Sequence, residues 1–185
     1  MPVPALVAFM LMFPMKKIVL WCALAALCWQ VQAAEFRGLC EKEEQVVFAC
    51  QLKKQKVVSL CASAKLDQRA GYLQYRFGVP GKPPELEYPA LRSHPRGQFV
   101  RGYYLWASAG MHWIGFDNGG YHYAIGSAGG RGIDQSGVWV VQQDKLLRHL
   151  PCSGQSSDNQ QSAPLQQTLE TLLPQDTVEM ELLVQ

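Results

Sequence analysis

Four cysteines set the frame, because an export leader at the front of the chain dictates how they are used. Residues 15–34 open with Lys16 and Lys17, run through an uncharged apolar stretch from Ile18 to Cys28, and end on the small-residue exit Val31-Gln32-Ala33. That order of charge, short hydrophobic run and small residues describes a secretory signal peptide. The apolar stretch falls short of the roughly 20 residues a membrane-spanning helix needs. Residues 1–14 lie upstream of the lysines, and Met15 reads as the true start. Pro14 and the two lysines keep the two apolar runs from fusing into one span. No cysteine sits in a lipoprotein setting, since Cys22 follows Trp21 while Cys28 and Cys40 follow leucines. The expectation is cleavage after Ala33 and a periplasmic or secreted protein, with no transmembrane segment in its mature chain.

Cleavage removes Cys22 and Cys28 and keeps Cys40, Cys50, Cys61 and Cys152. An even number in an oxidising compartment reads as two disulfides, with three possible connectivities. Hairpin geometry favours one of them. Residues 46–52 and 57–61 look like strands around Lys53-Lys54-Gln55-Lys56, and a two-residue turn at Gln55-Lys56 puts Cys50 opposite Cys61. Cys40 is then left for Cys152. Zinc is the other use of four cysteines, but no CxxC-like spacing occurs, so neither a metal nor another cofactor is expected. Loss of Lys16 and Lys17 lowers the basic residues from 17 to 15, equal to the 15 acidic ones. A neutral chain without a basic stripe argues against a nucleic-acid partner.

The rest of the chain reads as short strands punctuated by turns. Gly71 to Phe77 alternates, with Leu73, Tyr75 and Phe77 on one face and Gln74 and Arg76 on the other. After a proline-rich loop at 80–84, strands are expected at 85–88, 98–108, 111–116, 121–125, 137–142 and 145–150. Turn signals such as Asp117-Asn118-Gly119-Gly120 and Gln143-Asp144 separate the later ones. This spacing predicts an all-β domain over residues 34–152: an antiparallel barrel, a sandwich or a twisted meander. Residues 153–164 are rich in Ser, Gln and Asn and read as a flexible linker. A short helix then places Leu165, Leu169, Leu172 and Leu173 on one side before Pro174, leaving residues 165–185 as a loosely attached helix and tail.

Chemistry is sparsely signalled. His112 and His122 invite an acid–base or metal proposal, and hairpin register decides whether they share a face. A two-residue turn at Asn118-Gly119 separates them, whereas a three-residue turn through Gly120 unites them. No GxSxG or HExxH motif anchors a catalytic reading, so no catalytic residue is assigned. The segment Gly126-Ser127-Ala128-Gly129-Gly130-Arg131-Gly132 reads either as a permissive long turn or as a mobile loop that delivers one arginine fork to a carboxylate. The candidate binding surface is therefore Ser127, Gly129, Arg131 and Asp134, with Trp113 and Tyr121 supplying an apolar surround. The aromatics between Tyr103 and Trp139 otherwise read as core. The cluster Glu41-Lys42-Glu43-Glu44 and the run at 53–56 read as a solvated segment and an exposed turn.

The runs Val47-Phe48-Ala49-Cys50, Val58-Ser59-Leu60-Cys61 and Gly71-Tyr72-Leu73-Gln74-Tyr75-Arg76-Phe77-Gly78 resemble those of small exported bacterial proteins of uncharacterised function. The resemblance covers about half of the mature domain and implies no activity. In architecture alone the chain is also similar to periplasmic lysozyme inhibitors, which are small disulfide-bonded β-barrels. The expected work is non-enzymatic: binding an envelope or secreted protein, as an inhibitor or immunity factor would. A small-ligand carrier, or a hydrolase using His112 or His122, is the alternative.

Overall fold

The structure, a computed structural model, describes residues 35–130 and 132–178. The leader assigned to residues 1–33, Arg131 and the tail beyond Val178 lie outside the described residues. Strand-forming runs rich in Val, Tyr, Ile and Trp build two antiparallel sheets. Sheet A contains β1 (Gln45–Gln51), β2 (Val57–Ala62), β3 (Leu73–Gly78), β4 (Leu86–Tyr88) and the short β10 (Ser156–Asp158), in the order β10-β1-β2-β3-β4. Sheet B is a meander of β5 (Val100–Trp106), β6 (Ala109–Asn118), β7 (Tyr121–Gly130), β8 (Ile133–Gln142) and β9 (Lys145–Pro151). The sheets stay separate, which makes the architecture a sandwich and not a closed barrel.

Period-two alternation sends Val58, Leu60, Leu73 and Tyr75 of sheet A and Ile114, Phe116, Ile125 and Val138 of sheet B into one core. Aromatics fill its centre: Phe116 stacks on Tyr88 at 4.3 Å and on Tyr123 at 4.9 Å between ring centroids. Helix α1 (Ala163–Leu172) carries Pro164 in its first turn, which its fixed φ suits, and buries Leu165, Leu169 and Leu172 in the same core. Residues 153–164 are therefore no flexible linker. Ser156–Asp158 pairs with β1 and Gln160 is buried, so the stretch completes sheet A and delivers α1 to the core.

Residues 35–44 cross the outer face of sheet A and are pinned there. Glu44 is buried and forms a two-point ion pair with the equally buried Arg76, both contacts at 2.7 Å. Arg76 also donates to the Leu39 carbonyl and to Gln74 Oε1, while the Tyr72 hydroxyl donates to Glu44. Burial alone would raise the Glu44 pKa, but these hydrogen bonds and the Arg76 charge outweigh it and hold it below its ordinary value. The polar face of β3 is thus covered, and Glu44 departs from the solvated segment expected of it.

The disulfides pair Cys40 with Cys61 and Cys50 with Cys152, which corrects the expected connectivity. The reason lies in the β1–β2 register. The strands are joined through a 3-10 turn at Lys53–Gln55 and not by a two-residue turn, so Cys50 lies opposite Val58 and Cys61 opposite Val46. The two cysteines therefore face opposite sides of the hairpin. Cys61 meets the segment crossing the outer face, and Cys50 meets the chain leaving β9.

Candidate binding cleft

Two glycines set the register that builds the site. The turn between β6 and β7 is Gly119-Gly120, with φ of 61° and 81°, the conformation a two-residue hairpin loop demands at both central positions. Neither turn anticipated from the sequence is used. Asn118 pairs with Tyr121, Asp117 with His122 and His112 with Ser127. His112 consequently faces sheet A, and His122 lies on the opposite face of sheet B.

The strands of sheet B outrun those of sheet A, and the far end of its inner face stays open. Tyr103 and Leu105 of β5, Gly110 and His112 of β6, Ser127 and Gly129 of β7, and Asp134 and Ser136 of β8 line a shallow depression there. Tyr103 and Leu105 remain 51% and 62% exposed. A second depression of about 350 Å³ continues from Tyr103 and His112 toward α1, between Arg101, Gln160, Gln161, Gln166 and Glu170. His112 and Tyr103 stand on the ridge the two share.

Asp158 lies behind the cleft wall and braces two of the residues that line it. His112 Nε2 donates to Asp158 Oδ2 at 2.9 Å, and the Ser127 hydroxyl donates to the same oxygen at 2.5 Å. Burial would raise the Asp158 pKa, but His112, Ser127 and the Gln160 amide hold it below the ordinary carboxylate range. Ser127 also reaches Ser136 Oγ at 3.0 Å. The arrangement differs from a nucleophile–base pair: the serine proton goes to the carboxylate, and Ser127 and the His112 ring each bond Asp158 and not one another. Its chemistry is that of a satisfied polar brace between β10 and sheet B.

Of the residues singled out from the sequence, Ser127, Gly129 and Asp134 come together in the depression. Trp113 faces the other side of sheet B, where its indole N–H donates to Asp176 at 2.7 Å. Tyr121 begins β7, roughly 26 Å from Gly129 by the rise of eight extended residues. Arg131 lies outside the described residues. Residues 126–130 are not a mobile loop but strand, paired on both sides as far as Gly129, with Gly126 opposite Trp113 and Gly137. Glycine is needed at 126 because a Cβ there would come within 1.9 Å of the His112 carbonyl oxygen. Sequence reasoning missed Arg101, Asp158 and Gln161, which come from an edge strand and from the supposed linker.

On the outer face, His122 stands between two carboxylates. Its Nδ1 lies 2.9 Å from Asp117 and its Nε2 forms an ion pair at 3.0 Å with buried Asp176. Burial disfavours the imidazolium, but the two aspartates outweigh it and raise the His122 pKa. Asp176 is opposed by its own burial, yet His122, Trp113 and the Val178 amide lower its pKa. This cluster fastens residues 174–178 to the sheet.

Cys40, Cys61 and Glu44 bring their ligand atoms close enough for a metal ion, but the sulfurs form the disulfide and Glu44 serves Arg76. Among the described residues no helix is long and apolar enough to cross a membrane. Fold and site together define a two-sheet, two-disulfide sandwich with an open polar cleft at one end. No family model, curated protein or solved structure matches the chain.

Proposed function

We propose that this is an exported, periplasmic or secreted protein that works by binding a protein of the envelope, as an inhibitor or immunity factor does, without catalysing a reaction. The observation that carries the reading is the open end of sheet B. Tyr103 and Leu105 project exposed from an edge strand, beside a depression floored by Ser127, Gly129 and Asp134. Exposed apolar side chains ringed by polar groups are the composition of a protein-binding patch. Two disulfides fit an oxidising compartment, which supports export. The carrier alternative asks for an enclosed apolar cavity, whereas both depressions here are open and lined by amide and charged groups. The hydrolase alternative asks for an oriented nucleophile, and Ser127 is committed to Asp158.

The test is capture of partners from envelope extract with a C-terminally tagged full chain, with and without Tyr103→Ser/Leu105→Ser. The expected result is a stoichiometric protein partner that the double variant loses. Crosslinking that finds no partner, or one held equally by the variant, would overturn the reading.

A further inference from the structure

The Arg101 guanidinium has no hydrogen bond or ion pair among the described residues, and its Nε is shut off from solvent with no acceptor. The backbone around it is fully committed. Its N–H donates to the Pro174 carbonyl at 2.9 Å, and its carbonyl accepts from the Asp176 amide at 2.7 Å, so the residue is fixed between β6 and the segment after α1. A buried donor without an acceptor forfeits its hydration without return, and among the described arginines only Arg37 Nε shares this state. The side chain lines the 350 Å³ depression. The acidic groups around that depression are already engaged: Glu170 accepts from Gln166 at 3.0 Å, and Asp158 accepts from His112 and Ser127. Neither lies within ion-pair distance of Arg101.

From this geometry we infer that the cleft binds a carboxylate, held by the Arg101 guanidinium with the Gln161 amide and the Tyr103 hydroxyl on the surrounding walls. A guanidinium fork matches the two oxygens of a carboxylate. Phosphate suits the site less well, because no lysine or second arginine lines it and Glu170 would repel a dianion. The inference rests on the binding reading above and gives that partner a chemistry: an acidic side chain or a free chain terminus seated beside Tyr103. A small free carboxylic acid would offer the same group, and the experiment separates the two sources.

The experiment is an NMR titration of the full chain at low salt, following the Arg101 Nε–H resonance and the Tyr103 amide. The probes are succinate, inorganic phosphate and a Glu-containing hexapeptide. Succinate and the peptide are expected to move the Arg101 signal saturably. The Tyr103 amide, which remains observable in the variants, should report affinity about tenfold or more weaker in Arg101→Gln and a few-fold stronger in Glu170→Gln. Tighter binding of the peptide than of succinate would assign the carboxylate to a polypeptide, and the reverse would assign it to a free acid. No movement with any carboxylate, or movement with phosphate alone, would overturn the inference. The outcomes are separable from those of partner capture. A partner lost with Tyr103 and Leu105 but no carboxylate response sinks only this site, whereas a carboxylate response without a protein partner leaves the site and removes the partner.

Discussion

At Arg76 a guanidinium is held inside the protein by both carboxylate oxygens of Glu44, the Leu39 carbonyl and the Gln74 side-chain oxygen. Both charged side chains are almost fully buried, at 4% and 2% exposed, so each is the other's substitute for water. Removing one partner leaves the other charged and dry, which is costlier than removing both. Arg76→Met is accordingly expected to lower unfolding free energy by about 3–5 kcal/mol, read as a lower midpoint in urea denaturation. An unchanged midpoint would show that Glu44 finds water or a proton at little cost. Alternation placed Arg76 on the polar face of its strand, and it is there. That the face is covered depends on residues 35–44, whose Glu-rich composition has no periodicity to announce it.

Among the elements, β6 carries both polar clusters by turning alternate residues to opposite faces. Its even positions give His112 to the cleft, and its odd positions give Trp113, Gly115 and Asp117 to the outer face. A Cβ at Gly115 would come within 2.8 Å of the His122 ring and 3.0 Å of Asp176, so the bare position makes room for their contact. The segment at residues 174–178 is held by that contact, and its attachment depends on pH from both sides. His122 has a raised pKa in the folded state, so its contribution is complete below the unfolded value of about 6.5 and is lost as pH rises through the folded value. Asp176 has a lowered pKa, so its contribution is present above the unfolded value of about 3.9 and is lost as pH falls through the folded one. Hydrogen-exchange protection at the Arg101 and Asp176 amides should therefore peak between about pH 4 and 6.5 and decline on either side. In His122→Asn the alkaline decline should vanish. If it persists, some other group governs release.

Across the whole molecule, the two disulfides constrain very different lengths of chain. Cys40–Cys61 spans 21 residues and Cys50–Cys152 spans 102. In the chain-entropy description the long closure contributes about 5 kcal/mol and the short one about 3 kcal/mol. The double variant Cys50→Ser/Cys152→Ser should thus melt lower than Cys40→Ser/Cys61→Ser. Equal melting temperatures would mean that unfolded-chain entropy does not set their contributions. The long bridge ties sheet A to the chain leaving sheet B, so its removal tests the joint between the two layers.

The sequence by itself determined the strand-rich class, the extent of most strands, the two-disulfide count and the helix with leucines along one side. Each of these follows from local alternation, turn residues or parity of cysteines, which neighbouring residues are enough to express. Tertiary structure decided the rest. Disulfide pairing followed from whether β1 and β2 meet across a two-residue or a longer turn, since one residue of slip reverses a side chain's face. The same slip at residues 118–120 sent His112 and His122 to opposite sides. The cleft joined Ser127 and Asp134, visible as a polar, glycine-rich stretch, to Arg101 and Gln161, which carry no motif and stand 60 positions apart in the chain. Only the packing of β10 and α1 against sheet B brings those residues together, and packing at that distance leaves no trace in local composition.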